Sequence, residues 1–371
     1  MEKIGLYIHI PFCLSKCPYC DFYSFSGWND DDADTYVAAL IRAMERWSAR
    51  ADFCVDTVYF GGGTPALLGG KRLTKLLNAA DRYFFVSSAD TPEITIEANP
   101  ADDLRSTLEA FVAAGGNRLS LGMQSAVSDE LCRLGRRHTP EDVRRTVTDA
   151  RHAGIRNLSL DMMLGISGQT RESALYSART AVELGAEHIS AYMLKIEPST
   201  PYSATTLTFP EDDEVADIYS AVMETLDRAE YRQYEISNTA KPGFESRHNL
   251  KYWDGRPYLG LGPAASSYIG GRRFSYPRDI RAFMDGCEPM TEDDTRLLPG
   301  TPEEYGMLRL RLTQGIDRQE YAARFGAPFP EKWAERAARL PRELVTADED
   351  GLRLTRAGFL LSNTLMEKIL L

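Results

Sequence analysis

The chain has 371 residues, 26% of them charged, with a formal net charge of −11 and six cysteines. That balance speaks against nucleic acid as a general partner, because no surplus of cations is available to neutralise phosphates. The sparse cysteines, three of them within one short loop, do not make a disulfide framework. With no basic-then-apolar leader and no apolar run of membrane-spanning length, a cytoplasmic enzyme-sized protein is expected, built as two domains or as one large α/β barrel with an appendage.

In chain order, the first candidate strand is Gly5–Ile10, with Leu6, Ile8 and Ile10 on one face and Tyr7 and His9 on the other. The loop after it carries Cys13, Cys17 and Cys20 in the spacing C-x3-C-x2-C. Three thiolates can hold three irons of a [4Fe–4S] cube and leave the fourth open to a small molecule. Structural zinc would need a fourth Cys or His at compatible spacing, and His9 lies along the preceding strand. Cys54, Cys132 and Cys287 are scattered and read as small buried hydrophobes.

Further strands are expected at Thr57–Phe60, Glu93–Ala98, Arg118–Met123, Asn157–Met163 and His188–Leu194. Helices are expected between them at Thr35–Ala49, Lys71–Tyr83, Leu104–Ala114, Pro140–Ala153 and Arg171–Leu184. Regular alternation implies a parallel sheet, as a partial barrel of six units or as an open doubly wound sheet. Either fold places its ligands at the carboxyl ends of the strands. There the sequence puts the cysteine loop, Gly61–Pro65, Glu97–Pro100, Gln124 and, late in the fifth strand, Asp161. The glycine run is not G-x-G-x-x-G, and three glycines without Cβ atoms let a ligand reach main-chain carbonyls.

Beyond the barrel, Tyr231–Asn238 and Gly260–Ala265 read as loops and strands over its mouth, and acidic, Pro-rich Glu288–Pro302 reads as a linker. Helices at Glu303–Leu312, Arg318–Phe325 and Glu331–Leu340, then a hairpin over Leu344–Leu354 turning at Asp350-Gly351, suggest a small winged-helix-like α+β domain. Eleven Lys/Arg against eleven Asp/Glu from Thr301 to Leu371 give it no basic footprint. The expected divisions are 1–210, 211–295 and 296–371. In the run His248-Asn-Leu-Lys-Tyr-Trp253, the imidazole could ligate haem iron while Tyr252 and Trp253 offer flat faces to a porphyrin; alternatively the same residues hydrogen-bond and pack a loop onto the barrel.

The cysteine loop together with Gly61–Pro65 resembles the signature of the radical S-adenosylmethionine (SAM) superfamily. That resemblance implies an α/β fold with a partial (β/α)6 TIM-type barrel, and SAM chelating the open iron of the cluster. It places Tyr7 and Tyr19 beside the cofactor, Gly62, Gly63 and Thr64 at its methionine amino group, and Glu97, Gln124, Arg136 and Asp161 around it. Carboxylates suit ribose hydroxyls and Arg136 suits a carboxylate, although Arg136-Arg137-His138 also reads as a solvated helix terminus. His9 reads as a core histidine.

The whole chain further resembles the radical SAM haem chaperones (HemW-like), kin of the oxygen-independent coproporphyrinogen III oxidases. Phe22, where the oxidases carry another cysteine, and the H-N-x-x-Y-W run favour the chaperones. The resemblance implies haem as cargo, with His248 as a candidate ligand, membrane-associated haemoproteins as recipients, and a homodimer. Ser246 stands where chaperones often have cysteine, and Ala66 where serine is common. The alternatives are an oxidase converting coproporphyrinogen III to protoporphyrinogen IX, or a radical SAM enzyme with an unrelated substrate.

Overall fold

A computed structural model describes residues 2–50, 53–100, 103–291 and 298–371. Its first half alternates β1 (Glu2–Ile10), α1 (Asp30–Ser48), β2 (Phe53–Gly62), α2 (Gly69–Phe84), β3 (Glu93–Ala98), α3 (Arg105–Ala113), β4 (Arg118–Gln124), α4 (Ser128–Arg133), α5 (Pro140–Ala153), β5 (Asn157–Leu164), α6 (Arg171–Glu183) and β6 (His188–Met193). β1 to β6 pair in parallel and in sequence order. Ile4, Leu6, Ile8 and Ile10 of β1 are fully buried in a core shared with Tyr36, Val37 and Leu40 of α1, so the period of two turns Tyr7 and His9 inward. α5 shows the local logic: Thr139 and Asp142 form a capping box, Pro140 occupies the first turn, and Gly154 ends the helix in the left-handed region.

The expectation for 211–295 needs correction, because this segment builds the sheet as well as covering it. α7 (Asp212–Arg228), which is not among the expected elements, buries Ile218, Tyr219, Val222, Met223 and Leu226 against the barrel core. β7 (Arg232–Gln233) and β8 (Asn238–Ala240) follow, and β8 adds antiparallel to β6. After α8 (Arg247–Trp253), β9 (Tyr258–Leu261) adds in parallel to the other side of β1. β10 (Ser266–Ile269), β11 (Arg272–Ser275), α9 (Ile280–Met284) and β12 (Met290–Thr291) continue outward from there. β8 and β9 thus lie on the two flanks of the six parallel strands, and the barrel is partial. Residues 292–297 of the expected linker lie outside the described residues.

A second core gathers Tyr305, Leu310, Tyr321, Trp333, Leu352, Phe359 and Ile369. It is built from α10 (Pro302–Arg309), β13 (Ile316–Asp317), α11 (Arg318–Phe325), α12 (Glu331–Ala337), β14 (Val345–Ala347), β15 (Gly351–Leu354), α13 (Arg356–Leu360) and α14 (Ser362–Leu370). The hairpin turns where expected, its tip held by the Asp348 side chain accepting from the N–H groups of Asp350 and Gly351. With β13 beside it, the unit has a winged-helix-like layout. Arg309 of this unit pairs with Asp254 at 2.5 Å, and Arg324 donates to the carbonyls of Asp254 and Gly255, where α8 ends. Among the described residues no helix is long and apolar enough to cross a membrane.

Candidate functional site

The loop after β1 is pinned before it carries chemistry. Phe25 N–H donates to the Pro11 carbonyl, Cys13 N–H to that of Phe25, and the Trp28 indole to that of Cys13. Phe12 packs between Phe25 and Trp28, so the segment Cys13–Cys20 leaves a rigid aromatic base. All three thiols are free and partly exposed, and burial raises those of Cys13 and Cys20 above their ordinary values. Among the described residues no three His, Cys, Asp or Glu side chains converge as ligands of one ion. A cube asks for a different arrangement, one thiolate at each of three separate iron corners.

Two of the thiols are tied to the neighbouring strand ends by a polar chain. Thr64 Oγ1 lies 3.9 Å from Cys13 Sγ and accepts from Asn99 Nδ2 at 2.7 Å. Arg136 Nη1 donates to Asn99 Oδ1 at 3.0 Å and lies 3.6 Å from Cys17 Sγ, with its guanidinium over the Tyr19 ring. Arg136 is therefore packed against the cysteine loop and is not a solvated terminus. Asn99 was not among the predicted residues, although it sits within the Glu97–Pro100 motif.

The glycines satisfy the protein's own packing. Gly62 has φ +115°, and a Cβ there would meet the His9 ring at 2.5 Å; a Cβ on Gly63 would meet the Phe12 carbonyl at 2.6 Å. Gly63 and Thr64 N–H groups donate to the carbonyls of Ile10 and Phe12, locking the second loop to the first. Gly62 N–H donates to Glu97 Oε2 and the Tyr59 hydroxyl to Glu97 Oε1.

Burial pushes Glu97 up to about 7, with Asp161 adding to the rise while Tyr59, Gly62 N–H and Arg118 oppose it. Asp161 is raised by burial too, against the hydroxyls of Ser190, Ser120 and Ser159 that donate to it and against Arg118. Tyr7 stacks on Tyr59 and hydrogen-bonds His9 Nδ1, whose Nε2 lies 2.8 Å from the Tyr23 carbonyl oxygen. His9 is thus a satisfied core histidine, pushed down to about 4 by burial.

Gln124 closes β4 in the left-handed region at φ 63°, a strained conformation for a side chain of this size. Its Oε1 and the Nε of Arg136 are buried without hydrogen-bond partners among the described residues. A ligand carrying both a donor and an acceptor would satisfy them, which fits the amino and carboxylate groups of SAM.

His248 is elsewhere. α8 lies against the amino-terminal ends of the strands, opposite the cysteine loop, and forms the barrel floor. Glu93, the first residue of β3, accepts from the N–H groups of Arg247 and His248. The imidazole is fully buried, stacked on Tyr59, with Nδ1 2.8 Å from the Thr57 hydroxyl and Nε2 2.8 Å from the Tyr252 hydroxyl. Burial pushes it down to about 3, so it is neutral. Of its two sequence readings the structure shows packing: in this conformation neither ring nitrogen is free for iron. Of the remaining cysteines, Cys54 is buried as expected, Cys132 is exposed and Cys287 partly so.

Comparison with known proteins agrees with this geometry. The radical SAM superfamily matches residues 7–181, and the HemN C-terminal domain matches residues 302–361. The fold aligns with coproporphyrinogen III oxidase (HemN) of Escherichia coli at a TM-score of 0.83, covering 100% of this chain and 90% of that one, at 21% identity. The heme chaperone HemW of Escherichia coli is 36% identical over 376 residues, covering 100% of this chain and 99% of the relative. That of Bacillus subtilis is 36% identical over 370 residues, covering 96% of each. Membership of the superfamily implies a [4Fe–4S] cluster and SAM, and on full-length similarity the chain belongs to the HemW family of radical SAM heme chaperones.

Proposed function

We propose that this protein binds haem and delivers it to membrane-associated haemoproteins, while the rim of its barrel carries a [4Fe–4S] cluster and SAM. The observation that carries the reading is similarity to the HemW chaperones over the whole chain, C-terminal unit included. The likeness to the oxidase, at 21% identity, supports the fold alone.

In this reading Cys13, Cys17 and Cys20 hold three irons. A cluster held there together with SAM would supply the chemistry of reductive sulfonium cleavage. The chain's own residues bind and orient. Arg136, held by Asn99 and lying over Tyr19, presents a cation to the SAM carboxylate, and Gln124 offers an amide whose oxygen is unpaired. Glu97 and Asp161 present acceptors to ribose hydroxyls or to the ammonium group. Tyr7, Gly62, Gly63 and Thr64 shape the wall between them. Phe22, 66% exposed at the end of the cysteine loop, offers no thiolate at this position.

Haem ligation by His248 requires α8 to leave the floor, because both ring nitrogens are engaged. The test is haem titration of the cluster-loaded protein with hydrogen exchange followed over 247–253. Saturable binding with deprotection of that segment supports His248 as ligand; saturable binding with unchanged protection assigns the haem elsewhere. Absence of saturable binding overturns the carrier reading.

A further inference from the structure

Arg118 stands out among the polar residues inside the barrel. It opens β4, is 1% exposed, and its Nε has no hydrogen-bond partner among the described residues. A buried guanidinium in this state is costly unless its charge serves something nearby. Glu93, close enough to act on it electrostatically, already accepts from the main chain of α8. The register shows what else is near. Arg118 pairs with Thr95, and one inward-facing step along the same strands Ser120 pairs with Glu97. Ser120 donates to Asp161 at 2.9 Å. Arg118 therefore sits on the strand between the two rim carboxylates, one inward-facing step below Glu97 and two below Asp161.

We propose that Arg118 is a positioning residue for SAM, the fixed buried cation set beneath Glu97 and Asp161 whose charge favours their carboxylate forms at the cofactor. The inference rests on the reading of the rim as the SAM site. The groups facing Glu97 are Tyr7 from β1, Tyr59 from β2, Asp161 from β5, Tyr192 from β6 and Tyr252 from α8, none of them positive, and Arg118 from β4. Asp161 faces Tyr59, Tyr192 and Glu97, and again Arg118. Burial raises both acids, and Arg118 pulls both back. His188, on β6 nearby, is held neutral by burial and by Arg118, and so cannot replace it. With the guanidinium gone, both acids titrate higher, and the protonated forms present fewer acceptors at neutral pH.

The test is the SAM dissociation constant of cluster-loaded wild type, Arg118→Gln and Arg118→Lys between pH 6 and 9, with iron content and thermal melting followed for each. In the wild type, affinity falls as pH drops through about 7, where Glu97 takes its proton. In Arg118→Gln that fall moves to higher pH, so binding is weakened at pH 7 and recovers by pH 9. Arg118→Lys keeps the wild-type midpoint. A merely structural role would lower affinity equally at every pH, and a parallel profile in Arg118→Gln overturns the inference. Should Arg118→Gln fail to fold, Arg118→Met takes its place on the same criterion: a midpoint shifted to higher pH supports the charge role, and a wild-type midpoint overturns it. A wild type that binds no SAM overturns the reading of the rim, and the role of Arg118 with it.

Discussion

The two ends of the barrel use similar residues to opposite effect. At the floor the polar groups that hold α8 are engaged: Glu93 accepts two main-chain N–H groups, and the imidazole bridges Thr57 and Tyr252. At the rim, Gln124 Oε1 and Arg136 Nε are buried without partners among the described residues, Gln124 is held in a left-handed conformation, and burial raises two acids. Satisfied polar clusters hold a fold together, whereas unsatisfied, strained ones are kept for something that binds. Residue type alone does not separate the two, since a histidine beside aromatics looks equally suited to iron or to packing.

The sharpest way to break this contrast is to remove one rim thiol. Cys17→Ala abolishes cluster incorporation, read as loss of bound iron and sulfide, while the melting temperature of the cluster-free protein stays within a few degrees, because the loop lies outside the core. Retention of a full cluster would contradict the ligand assignment. At the floor the pattern reverses. His248→Ala removes a fully buried ring and strands two hydroxyls, costing about 2–4 kcal/mol in denaturant unfolding, with cluster content unchanged. A smaller loss follows from Glu93→Gln, about 1–2 kcal/mol, since the α8 amino terminus keeps a weaker acceptor. Smallest in stability is Gln124→Gly. Relief of the left-handed strain leaves unfolding free energy within about 1 kcal/mol of wild type, while SAM affinity falls. A large destabilisation with SAM affinity intact would make Gln124 a floor-like, structural residue and blur the contrast.

The rim was legible in the sequence because its parts are local. C-x3-C-x2-C, Gly61–Pro65 and Glu97–Pro100 each follow a short apolar strand, and alternation along β1 is enough to turn Tyr7 inward. The same period of two on β4 aligns Arg118 with Ser120 and Gln124, so Arg118 was within reach of the pattern and passed over. The floor was not legible. Whether α8 caps the barrel depends on Glu93, Thr57 and Gly5, residues more than 150 positions upstream, and on β9 pairing with β1 through four residues that carry no local mark of their partner. α7 was missed although Glu211 and Glu214 form a capping box and its buried residues fall at helical spacing; its acidic start reads like a loop until the apolar stripe is counted. The last two helices, likewise unexpected, bury Phe359, Leu365 and Ile369 only because a second core awaits them.

The central claim is that this chain carries haem and does not transform a porphyrinogen. The most direct measurement is anaerobic reconstitution with iron and sulfide, followed in one sample by haem titration and by product analysis with coproporphyrinogen III, SAM and reductant. Saturable haem binding with no protoporphyrinogen is the predicted result. Protoporphyrinogen formed together with methionine release would contradict it, and would make the protein a decarboxylase that works without a cysteine at Phe22.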